Sequence, residues 1–343
     1  LAGLVLSLPS LAIILTAGFF GWLSDKVDRR TLLPAAMVLY ALGGASGLLA
    51  STMTEILAGR IVLGIGVAGV MTLVTKLAAD LWAGADRARF LGWQAAAMSG
   101  GGIIFLLAGG SLAELTWRGP FAIYALALPL AVVVIRVLPG SPATTPNDQG
   151  AGQMPWSFMV GLGAVAFFGM VMFYVVPTRL PFLLTDIGVT APTAAGVAIA
   201  GMTAAGMPGA LLFGRIKQVL SHEAIFALSF ALMAAGYGII SQAQSLPMVI
   251  AGTLTAGLGL GPLIPNQTTW LMSRIPVEVR GRAAGLLTTV VFAGQFASPL
   301  VAGVLATRMG MHEVFLVFAV LLGLSSAAML TAGRYVGTRR KAS

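Results

Sequence analysis

The chain has 343 residues, of which 58% are hydrophobic and 9% are charged, and its mean hydropathy is +0.94. Soluble domains carry about 25% charged residues, so this composition excludes a water-soluble protein of this length and predicts an integral membrane protein. Cysteine is absent, which excludes disulfides, thiolate metal sites and cysteine nucleophiles. The net charge of +9 is the one feature that a nucleic-acid-binding protein would share.

Apolar windows of about 20 residues predict eleven transmembrane helices in chain order. They lie near residues 1–23, 31–50, 54–76, 90–112, 118–138, 155–178, 192–213, 222–242, 247–271, 284–306 and 312–333. The stretch PGSPATTPNDQGAGQM after the fifth span is polar and rich in Pro and Gly, which predicts a flexible linker. We therefore expect an N-terminal helical bundle at 1–138, a cytoplasmic linker at 139–154 and a C-terminal six-helix bundle at 155–343.

Lysine and arginine are distributed unequally between the two sides of these spans. Of the 20 basic residues, 16 lie at one face, three lie at the other, and Arg60 alone lies inside a span. The positive-inside rule assigns the first face to the cytoplasm. Because this bias explains most of the net charge, the sequence predicts a lipid bilayer and not a nucleic acid as the partner of the basic residues.

Several motifs recur at one offset of 193 residues. They are Gly64-x-Gly66 with Gly257-x-Gly259, Arg87-x-Arg89-x-x-Gly92 with Arg280-x-Arg282-x-x-Gly285, Gly21 with Gly214, and Gly110 with Gly303. Both Arg-x-Arg segments fall on the predicted cytoplasmic face, so the halves are expected to be parallel repeats. The offset leaves the span at 155–178 without a counterpart, and we therefore expect one further helix before residue 1 and twelve spans in the full-length protein.

Four segments resemble motifs of the major facilitator superfamily, in particular its bacterial drug and sugar efflux branch. The segment from Gly21 to Arg30, GWLSDKVDRR, resembles motif A, with Asp28 at the usual glycine position, and LAGRIVLGIG around Arg60 resembles motif B. GGSLA followed by WR at 117–118 resembles the exit of the fifth span of that branch, and VRGRAAG at 279–285 is similar to the loop before the eleventh span. The glycine row of motif C is present at 100–102 without its proline.

The resemblance implies an all-α integral membrane protein of the major facilitator fold, with eleven of twelve transmembrane helices in two parallel six-helix pseudo-repeats. It also implies a monomeric secondary transporter of the bacterial inner membrane, with both termini of the full-length protein in the cytoplasm. The expected activity is alternating access, with proton-coupled efflux of a small apolar or amphipathic organic compound. Two alternatives stay open: a sugar or metabolite symporter or uniporter, and a transporter-like receptor or assembly factor that does not cycle.

The motifs also imply site residues. Motif A makes Gly21, Asp25, Arg29 and Arg30 a cytoplasmic gate. A charge at the centre of a transmembrane helix costs about 2.5–3.5 kcal/mol on insertion scales, so Arg60 is expected to be functional, and motif B implies a role in coupling. No Ser/His/Asp set, metal cluster or phosphate loop is present in the sequence, so no enzymatic activity and no cofactor are expected.

Further polar residues lie within or near the spans. The candidates for the substrate pathway are Gln94, Tyr174, Asn266, Gln267, Trp270 and Gln295, with interhelical hydrogen bonding as the alternative role. No acidic residue lies in the middle of a span, and Glu114, near an outer end, is the candidate proton site or else a solvated charge at the rim. The segment GIGVAG at 64–69 fits a dinucleotide fingerprint, but it lies within an apolar run and therefore predicts close helix packing.

Overall fold

The computed structural model describes residues 2–24, 26–82, 84–138, 153–276 and 279–342. These ranges are helical and contain no strand. The α-helices are α1 (Ala2–Leu23), α2 (Arg29–Ala45), α3 (Met53–Leu81), α4 (Gly84–Leu115), α5 (Ala127–Val137), α6 (Trp156–Asp186), α7 (Pro192–Leu211), α8 (Phe213–Val219), α9 (His222–Ser241), α10 (Leu246–Arg274), α11 (Arg280–Ala306) and α12 (Met311–Ala342). Two 3-10 helices, Ser46–Leu48 and Gly119–Leu126, follow α2 and precede α5.

Ten segments of the described residues are long and apolar enough to cross a membrane, and each coincides with a predicted span. The predicted span at 90–112 lies within α4, which contributes a shorter apolar helix at Gly100–Leu115. The all-helical fold class is therefore confirmed. Most of the predicted linker, residues 139–152, lies outside the described residues.

Helix starts follow local capping signals. The Thr52 hydroxyl accepts the backbone N–H of Glu55 at 3.3 Å, while the Glu55 carboxylate accepts the backbone N–H of Thr52, which forms a capping box at the start of α3. The Ser221 hydroxyl caps α9 by accepting the N–H of Ala224 at 3.2 Å. We call the end of the bundle where α1 meets α2, near Lys26 and Arg30, the basic end, and the opposite end, where α3 begins, the far end.

Glycines set the spacing of the helices inside each half. A Cβ atom on Gly64 would lie 2.5 Å from the Pro9 carbonyl oxygen of α1, and one on Gly66 would overlap the backbone of α2. At the equivalent positions 193 residues later, Gly257 packs against the backbone of α7 and Gly259 against that of α9. These glycines therefore serve helix packing, as the sequence predicts, and the same contacts recur in both halves.

The two halves meet through two helix pairs, α1 with α11 and α4 with α7. The 193-residue offset carries α1 onto α7 and α4 onto α11, so the two pairs exchange under the repeat, as parallel pseudo-symmetry requires. The α4–α7 contact is close at the far end, where a Cβ atom on Gly196 would lie 2.9 Å from the Leu106 carbonyl oxygen. A Cβ atom on Gly110 would lie 3.1 Å from the Cα of Thr193.

Candidate functional site

The first candidate residues lie at the basic end. Asp28 caps α2 by accepting the backbone N–H of Arg30 at 2.9 Å. The Nε of Arg30 donates to the carbonyl oxygen of Ile135 at 3.0 Å, which joins the start of α2 to the end of α5. Gly21 lies in the last turn of α1, where an added Cβ atom would meet nothing within 4 Å. These contacts organise the basic end of the N-terminal half.

The predicted gate is described only in part, because Asp25 and the side chain of Arg29 lie outside the described residues. Beside them, the Nζ of Lys76 on α3 donates to the hydroxyl of Ser24 at 2.7 Å. Ser24 is buried and directly precedes Asp25 in the chain. The end of α1 is therefore tied to α3 within the same half.

Arg60 lies on α3, about 10 Å from its start at the far end at 1.5 Å per residue. Its Nη1 donates to the Tyr124 hydroxyl at 3.2 Å, and its guanidinium carbon is 4.8 Å from the ring centre of Phe121 and 5.5 Å from that of Tyr124. Tyr40 of α2 packs against Tyr124 with ring centres 5.4 Å apart. Aromatic faces stabilise a desolvated guanidinium by about 2 kcal/mol, which offsets part of the cost of a charge at this depth.

The two rings beside Arg60 are fixed by glycines. Phe121 and Tyr124 lie on the 3-10 helix Gly119–Leu126 and face the far end of α2. A Cβ atom on Gly44 would overlap the Tyr124 ring, and one on Gly47 would overlap the Phe121 ring. The rings therefore occupy space that only glycine leaves open, and the position of the guanidinium is defined by rigid neighbours.

The C-terminal half has a second polar pair, near the middle of α6 and α11. Nε2 of Gln295 on α11 donates to the Tyr174 hydroxyl on α6 in a short hydrogen bond. Two further bonds join these helices: the Ser298 hydroxyl donates to the Val171 carbonyl oxygen at 2.7 Å, and Nη2 of Arg179 donates to the carbonyl oxygen one residue after Ser298 at 2.9 Å. The pair is thus built on a firmly joined helix pair.

The polar groups of the two halves are near enough for Tyr124, in one half, to interact electrostatically with Tyr174, in the other. The structure therefore brings together Arg60 and two of the predicted pathway residues, Tyr174 and Gln295. We call Tyr40, Arg60, Tyr124, Tyr174 and Gln295 the polar cluster.

Asn266 and Trp270 lie elsewhere, near the basic end of the C-terminal half. The Asn266 side chain is fully buried: its Oδ1 accepts Nδ1–H of His222 at 2.8 Å, and its Nδ2 donates to the His222 carbonyl oxygen at 2.9 Å. The His222 ring stacks on Trp270 with ring centres 5.4 Å apart and an angle of 9° between the planes. In this conformation, Asn266 has the interhelical role that was its alternative, and it joins α10 to α9.

The two remaining glutamine candidates also lie outside the polar cluster. Gln267 on α10 is buried, with 5% of its surface exposed, and it approaches Gly169 of α6. Gln94 is half-buried on the part of α4 that lies toward the basic end. The structure thus divides the six predicted pathway residues between the polar cluster and the interior of the bundle.

Glu114 lies in the last turn of α4 at the far end, where it is exposed. Its Oε1 accepts the Thr193 hydroxyl of α7 at 2.5 Å. This hydrogen bond joins the two halves directly, next to the close backbone contact of Gly110 and Gly196. Glu114 is therefore more than a solvated charge at the rim, because it is part of the contact between α4 and α7.

Two residues that contact the candidate site residues, Tyr124 and His222, were not identified from the sequence. Tyr124 carries a local signal, because it is one of only five tyrosines in the chain and lies within an apolar run. His222 carries none, since its partner Asn266 is 44 residues away and only the packing of α9 against α10 brings them together. Within the described ranges, no group of three or more His, Asp or Glu residues could hold a metal ion.

Comparisons with known proteins agree with this architecture. The family model described as Major Facilitator Superfamily matches residues 1–218 and 161–342. Quinolone resistance protein NorA of Staphylococcus aureus is 24% identical over 318 residues, which cover 88% of this chain and 80% of NorA. The niacin transporter NiaP of Acinetobacter baylyi is 24% identical over 375 residues, which cover 97% of this chain and 85% of NiaP.

Among solved structures, a bacterial homologue of the human lysosomal transporter Spinster has a TM-score of 0.81 at 17% identity. The match covers 97% of this chain and 88% of that structure, which shows a shared fold. The helices, the repeat and the family match agree over nearly the whole chain. The chain therefore belongs to the Major Facilitator Superfamily, as a multi-pass membrane transporter of small molecules.

Proposed function

We propose that this transporter exports a small amphipathic organic compound in exchange for protons, by alternating access. The proposal rests on the polar cluster, in which Arg60 donates to Tyr124 in one half and Gln295 donates to Tyr174 in the other. The two tyrosines are within electrostatic range of each other. A substrate bound there contacts both halves at once. Its passage therefore requires the halves to open first on one side and then on the other.

The moving bodies are the N-terminal bundle at 1–138 and the C-terminal bundle at 155–343, joined by the linker at 139–154. We propose that the basic end faces the cytoplasm, which the positive-inside rule supports. We also propose that both termini of the full-length protein are cytoplasmic and that the protein lies in the bacterial inner membrane. Because one chain supplies both bundles, the monomer is the working unit. The contact between α4 and α7 at the far end supports a state that is closed toward the outside.

Each end of the bundle has its own proposed gate. At the basic end, Gly21, Asp25, Arg29 and Arg30 form the cytoplasmic gate of motif A. At the far end, Glu114 is the proposed proton site, supported by its hydrogen bond to Thr193 across the two bundles. A charge-assisted hydrogen bond is about twice as strong as a neutral one, so protonation of Glu114 loosens this contact and favours opening toward the outside.

Likeness to known transporters supports export first and uptake second. NorA is named for quinolone resistance, and a second relative, from Bacillus subtilis, is named multidrug resistance protein 1, which favours export of an organic compound. Uptake of a metabolite is the second candidate function, because the match to NiaP, a niacin transporter, covers 97% of the chain.

The test is flux through the purified full-length protein in proteoliposomes. A quinolone and nicotinate serve as probes, each with and without an imposed pH gradient. We expect the gradient to drive probe movement several-fold above that of protein-free vesicles, with the sign of the gradient giving the direction. The proposal fails if probe flux does not respond to the pH gradient.

A further inference from the structure

We infer that the transported compound is an organic acid with a flat, apolar body, and that its carboxylate binds the guanidinium of Arg60. This inference deepens the proposed function and rests on the polar cluster as the substrate site. It adds a charge and a shape to the substrate, which the proposed function leaves open.

Arg60 has no negatively charged side chain among its contacts in the described part of the chain. Its contacts in the described part of the chain are one phenol and two aromatic rings, none of which is negative. The acidic residues of the described ranges lie in the first or last turn of a helix or cap one, as Glu55, Glu114 and Asp186 do. A guanidinium at this depth without an anion is costly, and an anionic ligand removes that cost.

Arg60 has N–H donors that make no hydrogen bond to the described residues. Arginine carries five N–H donors in a fixed fork, and the structure accounts for one of them, the bond from Nη1 to Tyr124. The guanidinium carbon lies 4.8 Å from the centre of the Phe121 ring, and the other N–H groups make no hydrogen bond to the described residues. A carboxylate matches this fork with two parallel hydrogen bonds.

Arg60 differs from two other arginines, Arg118 and Arg179, in the acceptors that it contacts. Nη2 of Arg118 donates to the Ala50 carbonyl oxygen at 2.9 Å, and Nη2 of Arg179 donates to the Pro299 carbonyl oxygen at 2.9 Å. Both arginines therefore join backbone segments within one half. Arg60 has no such backbone acceptor among the described residues, although it is half-buried and held by fixed rings. Its position is that of a binding group and not of a structural brace.

Aromatic rings beside Arg60 suit a ligand with a flat, apolar body. Phe121 and Tyr124 present their rings to the guanidinium, and Tyr40 packs against Tyr124. Tyr174 of the other half is within electrostatic range of Tyr124. Because the Tyr174 oxygen accepts from Gln295, its own O–H remains a donor for the ligand. An acid that bonds Arg60 and lies between Tyr124 and Tyr174 bridges the bundles, so its binding is coupled to their relative position.

The experiment compares acids with their neutral amides. Binding of 2-naphthoate, 2-naphthamide, nicotinate and nicotinamide to the full-length protein in nanodiscs is measured by calorimetry. A charge-assisted bond contributes about 1.5–3 kcal/mol, so the wild type is expected to bind each acid at least about tenfold more tightly than its amide. Arg60→Gln removes this preference, and Arg60→Lys keeps part of it, because the charge remains while the fork is lost.

Arg308→Gln is the matched control, since it removes an exposed basic residue near the same end of the bundle and is expected to keep the full preference. Gel filtration of each variant checks that it is folded. Equal binding of acid and amide by the wild type, binding of neither acid, or a preference that survives in Arg60→Gln overturns the inference.

The two proposals fail separately. Proton-driven flux of neutral compounds without any acid preference leaves the proposed function standing and removes this inference. Acid binding that depends on Arg60, without flux in a pH gradient, keeps this inference and removes the proposed function.

Discussion

A single methyl group at the contact between α4 and α7 is expected to change the balance between the two states of the transporter. In Gly196→Ala the added Cβ atom would lie 2.9 Å from the Leu106 carbonyl oxygen and 3.5 Å from the Cα of Gly110. Both neighbours are backbone, so they cannot rotate away and the helices must separate. Overpacking of this kind costs about 1–3 kcal/mol, and only the state with touching far ends bears that cost.

This cost shifts the equilibrium between the two states. The ratio of protein open at the far end to protein closed there would rise by about fivefold to about 150-fold. Residues 1–343 contain no cysteine, so a reporter cysteine at Leu106 has no background label from this part of the protein. In intact cells, a maleimide that does not cross the membrane should label this reporter at least about fivefold faster in Gly196→Ala than in the parent, at the lower limit of that cost.

The matched control lies on the same helix. A Cβ atom on Gly201 would meet only Leu254 Cδ2 at 3.5 Å, an ordinary van der Waals distance, so Gly201→Ala should label like the parent. Equal labelling of Gly196→Ala and Gly201→Ala would refute the idea that the far end opens by separation of α4 from α7. No labelling in any variant would refute the assignment of the far end to the outside.

Three further substitutions separate gate, coupling and structural roles. Asp25→Asn should reduce transport at least severalfold while membrane insertion and yield stay unchanged; normal transport would limit motif A to a topology signal. Glu114→Gln should keep substrate binding but weaken the response of flux to a pH gradient, because the amide cannot exchange a proton, and an unchanged response would exclude Glu114 as the proton site. Asn266→Ala should lower the free energy of unfolding by about 1–3 kcal/mol, seen as a lower melting temperature, because both of its bonds to His222 are lost. A lower substrate affinity at unchanged melting temperature would instead return Asn266 to the pathway.

The positions of the helices were predictable because hydropathy alone determines which segments enter the membrane. The lengths of the helices were less predictable. The predicted sixth span ends at 178, but α6 continues to Asp186. Arg179 ends the apolar window, yet its guanidinium donates to the Pro299 carbonyl oxygen and lies 6.0 Å from the Phe182 ring centre. A charge whose partner is 120 residues away cannot be distinguished from a helix end by its neighbours in sequence.

The candidate site was predictable to a similar degree. Arg60 could be identified because a charge inside a span has a known cost. Its aromatic neighbours could not be identified, since the 3-10 helix that carries Tyr124 was predicted as part of an ordinary span. The positions of the rings become clear only from their contacts with Gly44 and Gly47. Asn266 illustrates the reverse case: a polar residue within a span is equally suited to a pathway or to an interhelical bond until its partner is known.

Two glycines that are equivalent under the repeat make different contacts. Gly110 and Gly303 occupy equivalent positions, but a Cβ atom on Gly110 would approach Thr193 of the other half, whereas one on Gly303 would lie 2.9 Å from Nη2 of Arg179 in its own half. Because Arg179 fills the space beside Gly303, this glycine cannot receive a helix of the other half as Gly110 does. Equivalent glycines of parallel repeats can thus make different contacts, and the contact between α4 and α7 at the far end also includes Glu114, the proposed proton site.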